Sequence, residues 1–202
     1  MTKEIVVFAN SVKHGNSCVA GKCTETGKWI RPVSNNNGGE ILVEQTVKAS
    51  GYRLKILDKV KIDLSHHAPL NHQTENHVIK NTKWMDAYFL KKEEIISYLD
   101  SPKDLWGEGD RVCHDEIIKN KKIRNSLYLV QVNQLELFKD QNDKRRAKFS
   151  YGEVGYNLAV TGREFDSHFK KNSTFLRNAI ICVSLGENFN GYCYKLVAAI
   201  IY

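Results

Sequence analysis

No window of this 202-residue chain holds the roughly 18 apolar residues in a row that a membrane-spanning helix needs. The opening Met-Thr-Lys-Glu runs straight into a strand-like segment with no signal-peptide core, so the expected compartment is the cytoplasm and no membrane partner is expected. Cysteine is sparse and odd in number, five residues at 18, 23, 113, 182 and 193, which fits reduced thiols rather than a disulfide framework. Cys18 and Cys23 lack a second pair at zinc-ribbon spacing, and His66, His67, His72 and His77 match no familiar ligand pattern, so no metal or cofactor is expected. There is no low-complexity tract, no Gly-x-Ser-x-Gly elbow, no Walker loop and no His-Glu-x-x-His helix. A nuclease would show acidic residues converging on a metal, and no such cluster can be assembled. The reading is a binding module rather than an enzyme.

What is present is a folded, basic chain. Hydrophobic residues make up 42% and aromatics 10%, enough for a packed core. Lys and Arg total 30 against 23 Asp and Glu, a net +7 that favours polyanionic partners through counterion release, or serves solubility alone. Between Lys119 and Lys148 nine basic residues face three acidic ones, which is most of the excess of the whole chain.

Short β-type runs crowd both ends. Ile5 to Ala9, Cys18 to Cys23, Trp29 to Val33, Leu54 to Leu57 and Lys59 to Leu64 read as strands, punctuated by Gly15, Gly27 and Asn35-Asn36-Asn37-Gly38-Gly39. From Trp84 to Leu99, Tyr88, Ile95 and Leu99 recur at helical spacing, closed by Ser101-Pro102. Strands return at Ser126 to Val132, Leu135 to Lys139, Arg145 to Tyr151, Tyr156 to Val160, Ile180 to Leu185 and Tyr192 to Ile201. Without alternating helices, antiparallel meanders or small barrels are the expectation.

Three blocks carry a resemblance. They are Asn10-Ser11-Val12-Lys13-His14-Gly15 with Cys18-Val19-Ala20-Gly21 and Trp29-Ile30-Arg31-Pro32-Val33-Ser34; the stretch His67 to Asn76; and Val183 to Glu187 with Tyr194 to Ala198. Together, and in this order, they resemble the dual OB-containing domain family of prokaryotic proteins. The resemblance implies a mostly β chain with a short helical segment, forming two small OB-like β-barrels packed together. The expected division is an N-terminal module over 1–83, a helical connector over 84–118 and a C-terminal module over 119–202. By analogy with other OB modules it implies a nucleic-acid or nucleotide ligand, although such barrels also bind oligosaccharides and proteins.

The candidate contacts follow from side-chain chemistry. In the first module Asn10, Ser11 and Lys13 suit a base or a phosphate, and Arg31 either clamps an anion or pairs with Glu75. Glu75 and Asn76, within Gln-Thr-Glu-Asn, either read base edges or cap a turn. In the second, Lys144, Arg145 and Arg146 leave a turn beside Phe149 and Tyr151. That is charge next to stacking surface, as single-strand binding requires, or else a solvated turn over core aromatics. Glu187 and Lys195 are contacts or an ion pair. The resulting expectation is a basic groove across two barrels, binding nucleic acid, single-stranded if polymeric, or a nucleotide. Two other readings stand beside it. One is a small nucleotide-acting enzyme using Ser184, Glu187 and Lys195; the other is a protein-binding subunit of a prokaryotic defence system.

Overall fold

The computed structural model describes residues 1–120 and 123–202. It divides into two compact units, Met1–Tyr98 and Leu99–Tyr202, each built on a closed five-stranded barrel. In the first unit β1 (Thr2–Lys13), β2 (Asn16–Cys23), β3 (Trp29–Val33), β4 (Asp58–His67) and β5 (Asn76–Ile79) run in the ring order β1-β2-β3-β5-β4, and β4 closes onto β1. The β3–β5 pair is parallel and the others antiparallel. A sixth strand, β6 (Met85–Phe89), adds to β4 outside the ring.

The second unit begins with β7 (Arg111–Cys113) and α1 (His114–Asn120). Its ring consists of β8 (Leu127–Lys139), β9 (Arg145–Tyr151), β10 (Val154–Val160), β11 (Ser173–Phe189) and β12 (Tyr192–Ile201), with α2 (Phe165–His168) between β10 and β11. The order β8-β9-β10-β12-β11, closing onto β8 with a parallel β10–β12 pair, repeats the first ring strand for strand. Both are OB-like barrels, and no helix among the described residues is long and apolar enough to cross a membrane.

Alternation decides what faces inward. Ile5, Val7, Cys23, Ile30, Val60, Ile62 and Leu64 fill the first barrel, while Leu135, Leu137, Ala147, Phe149, Tyr156 and Leu158 fill the second. Closing a barrel of five strands demands close approaches, and Gly21 marks one: a Cβ there would lie 2.3 Å from the Val6 carbonyl oxygen.

Three local expectations are corrected. Asn10 to Lys13, beyond the strand expected at Ile5 to Ala9, continues β1 against β2, and only His14-Gly15 turns. Both of these have positive φ, 48° and 80°, as a two-residue hairpin turn requires. The helical spacing from Trp84 to Leu99 resolves into β6 and a 3-10 helix over Lys92–Tyr98, because pairing with β4 and the bond from Lys48 to Asp86 outweigh local periodicity. Leu54 to Leu57 is not a strand. Leu57 adopts φ 70° and donates its N–H to the Val7 carbonyl, turning the chain into β4.

Candidate nucleic-acid interface

On the second barrel, the strand register lays side chains out in rows on the outer surface. Phe175 of β11 pairs with Glu136 of β8, Glu136 with Lys148 of β9, and Lys148 with Asn157 of β10. Residues paired in this way share a face of the sheet, and their sequence neighbours point into the core. To one side of this row, Arg177 faces Gln134 and Ser150 faces Gly155. To the other lie Ser173, Phe138, Arg146 and Ala159. Gln134, Glu136, Lys148, Ser150, Asn157 and Phe175 line an open cleft of about 860 Å³.

The chemistry of this face lies in what it leaves unspent. Phe175 is 55% exposed, a large apolar ring in water. Among the described residues the side chains of Gln134, Glu136, Lys148, Ser150 and Arg177 make no hydrogen bond or ion pair with the protein, although Glu136 and Lys148 stand directly opposite. Gly155 adds bare backbone: a Cβ there would meet no atom within 4 Å.

The basic turn beside this face is more committed. Arg145 donates to Asp166 at 2.5 Å, with its guanidinium 5.6 Å from the Phe165 ring centroid. Arg146 donates Nε–H to Asn157 Oδ1 at 3.0 Å and Nη2–H to the Asn157 carbonyl at 2.6 Å, fixing one wall of the cleft. Lys144 is exposed, and its backbone N–H is capped by Asp140 Oδ1. Those backbone N–H bonds hold the Asp140 carboxyl below its ordinary pKa. Sequence pointed to Lys144, Arg145 and Arg146 but not to Lys148, Arg177 or Phe175.

The four corresponding strands of the first barrel are joined by the row Lys59, Val6, Lys22 and Trp29. Here the protein's own chain takes up every group. Lys22, 4% exposed, donates to the Tyr98 carbonyl at 2.7 Å and lies 5.1 Å from the Trp29 ring. Lys59 donates to the Tyr88 hydroxyl at 2.9 Å and sits over the same ring. Burial works against its charge, but the Tyr88 interactions raise its pKa overall. Phe8 packs against Tyr98 and Trp29.

The first-module candidates Asn10, Ser11, Arg31, Glu75 and Asn76 are buried. Asn10 donates Nδ2–H to the Leu54 carbonyl at 2.9 Å, and Ser11 pairs with Cys18 in the β1–β2 ladder. The Lys13 side chain lies outside the described part. Arg31 and Asn76 are register partners across β3–β5, and the Arg31 N–H donates to the Glu75 carbonyl, so the structure brings these three together. β2 lies between them and β1 in the ring. Asn76 is fully buried, its amide 3.4 Å from Gln73 Oε1.

In the second unit Glu187 sits in a bulge of β11 between Leu185 and Asn188. Lys195 is 1% exposed, and its ammonium donates to the carbonyls of Gly107 and Glu108 at 2.7 and 2.9 Å. Burial pushes its pKa down to about 8, against the pull of Asp104, Asp110 and Glu108. Lys195 pairs with Leu185 and Ser184 with Leu196, so Ser184 and Lys195 point to opposite faces. No group of three or more His, Cys, Asp or Glu among the described residues is arranged to hold a metal.

A search of curated proteins returned no match. Among solved structures the chain is similar to the crystal structure of the tetrameric p202 HIN2, at 11% identity and a TM-score of 0.32, covering 100% of this chain and 92% of that one. A likeness that low supports no argument about ligand. The family comparison is of another order: the dual OB-containing domain model matches residues 3–200, nearly the whole length, and the chain belongs to that family.

Proposed function

We propose that this protein binds single-stranded nucleic acid on the outer face of its second barrel and performs no chemistry on it. The observation that carries the reading is the row Phe175, Glu136, Lys148, Asn157 with Arg177 beside it: an exposed ring next to unpaired charge, on an open cleft. Phosphates need cations and unstacked bases need a platform, and both stand here within one strand of each other. Lys148, Ser150 and Asn157 of this face lie on β9 and β10, the second and third strands of the ring, whose face takes oligonucleotides in OB folds. Arg146, bonded to the cleft residue Asn157, and Lys144 in the turn before it add charge for a passing backbone. Five free cysteines fit a reducing, cytoplasmic setting.

Fluorescence anisotropy with labelled single- and double-stranded DNA and RNA across a salt series tests this. The expected result is saturable, salt-sensitive binding to single strands that Phe175→Ala and Lys148→Ala each weaken without lowering the thermal midpoint. Absence of binding at low salt overturns it, and retention on an oligosaccharide array instead would assign the same cleft to sugars.

A further inference from the structure

A carboxylate in the middle of a surface that takes polyanions is a cost unless it meets a donor. Glu136 is such a group. It lies between Phe175 and Lys148 in the register, lines the cleft, and has no hydrogen-bond or ion-pair partner among the described residues, even with an ammonium on the adjacent strand. We propose that Glu136 is a base-reading residue that selects guanine, an inference that rests on the single-strand reading above.

The argument is geometric. Side chains directly opposite on neighbouring strands have Cβ atoms about 4.5–5.5 Å apart, so a base stacked on Phe175 presents its edge to Glu136. A carboxylate accepts only, and it prefers two parallel N–H donors. Among the bases guanine alone offers two adjacent donors, N1–H and the N2 amino group, on its Watson–Crick edge. Cytosine and adenine pair one amino donor with a ring acceptor that faces the carboxylate unfavourably, and thymine and uracil flank their single N–H with two carbonyls. Gln134, exposed two residues back along β8 on the same face, supplies an amide donor for guanine O6. Lys148, on the other side of Glu136, holds the phosphate and keeps the backbone away from the carboxylate.

The test uses the full chain and labelled oligonucleotides of equal length: oligo-dT, oligo-dC, and a thymine strand carrying isolated guanines, too sparse to self-associate. Wild type is expected to bind the guanine-bearing strand about tenfold more tightly than oligo-dT, the worth of one bidentate pair. Hypoxanthine in place of guanine, which removes only the N2 amino group, should erase most of that preference. Glu136→Gln should level the strands, since an amide no longer accepts both guanine donors. A Glu136→Ala variant with the same thermal midpoint separates lost reading from lost folding. Equal affinity of wild type for all strands, or a guanine preference that survives Glu136→Gln, overturns the assignment while leaving single-strand binding intact. Failure of wild type to bind any strand removes both.

Discussion

The two barrels share one ring order and use the same surface in opposite ways. In the first, the row Lys59, Val6, Lys22, Trp29 is spent on the chain itself: Tyr98 takes the Lys22 ammonium and Tyr88 takes that of Lys59. In the second, the row Phe175, Glu136, Lys148, Asn157 stays open. Burial of polar groups follows the same division. Among the described residues the first unit buries twelve polar or charged side chains and the second only three, Ser126, Ser184 and Lys195. A buried polar group must be paired to be tolerated, and Lys22, Lys59 and the Lys48–Asp58 pair of the first unit are bound to structural work in this way. Topology alone therefore does not say which OB face is covered; in the first unit Tyr88 and Tyr98, which follow the last strand of the ring, take up its row.

The sharpest way to break this comparison is to exchange the roles of the two rows. Trp29→Ala should cost about 3–5 kcal/mol of stability, read by chemical denaturation, because it empties a buried site against Phe8. An unchanged midpoint would mean that the first barrel's row is not structural.

Next in size is Lys195→Met, expected to cost about 1–3 kcal/mol by orphaning the Glu108 carbonyl and leaving the Gly107 carbonyl to the Tyr156 hydroxyl alone. Wild-type stability should also rise with pH from about 8 towards 10.5. In that window the unfolded chain still holds the lysine proton, while the folded one, with its pKa lowered to about 8, has released it. Above about 9 the buried Cys193 thiol, pushed up to about 11, opposes the rise. Urea titrations at pH 7.5 and 9 check the sign, and the rise should vanish in Lys195→Met.

Phe175→Ala, by contrast, should leave stability alone and weaken single-strand binding by about 1–3 kcal/mol, the worth of one stacked base. The smallest effect is on salt dependence. Lys148→Ala should reduce the slope of log affinity against log salt by about 0.7, one phosphate contact on a single strand. Arg146→Ala should do less, since that guanidinium is already bonded to Asn157. A larger slope change for Arg146 than for Lys148 would move the site from the face to the turn.

Much of the fold was legible before any coordinates. Trp29 to Val33, Arg145 to Tyr151 and Tyr192 to Ile201 read as strands with the bounds the structure has, because apolar residues run or alternate along each between turn signals. Asn10 to Lys13 misled because a polar strand looks like a loop until its partner is known. Met85–Phe89 misled because β4, far away in sequence, outvotes local spacing. The open face was the least legible part. Gln134, Glu136, Lys148 and Ser150 alternate with core residues as on any half-exposed strand, and Phe175 lay in a stretch with no strand signal of its own.

Composition and local pattern by themselves determined a basic, strand-rich chain with no long apolar helix, and three short blocks were enough to point to the family. Those are properties of residues and their neighbours. Which barrel turns Phe175 and the uncommitted Glu136 and Lys148 to one face was decided only in three dimensions, because cross-strand register joins residues that lie apart in sequence. The segment carrying Tyr88 and Tyr98 closes one face by the same long-range logic.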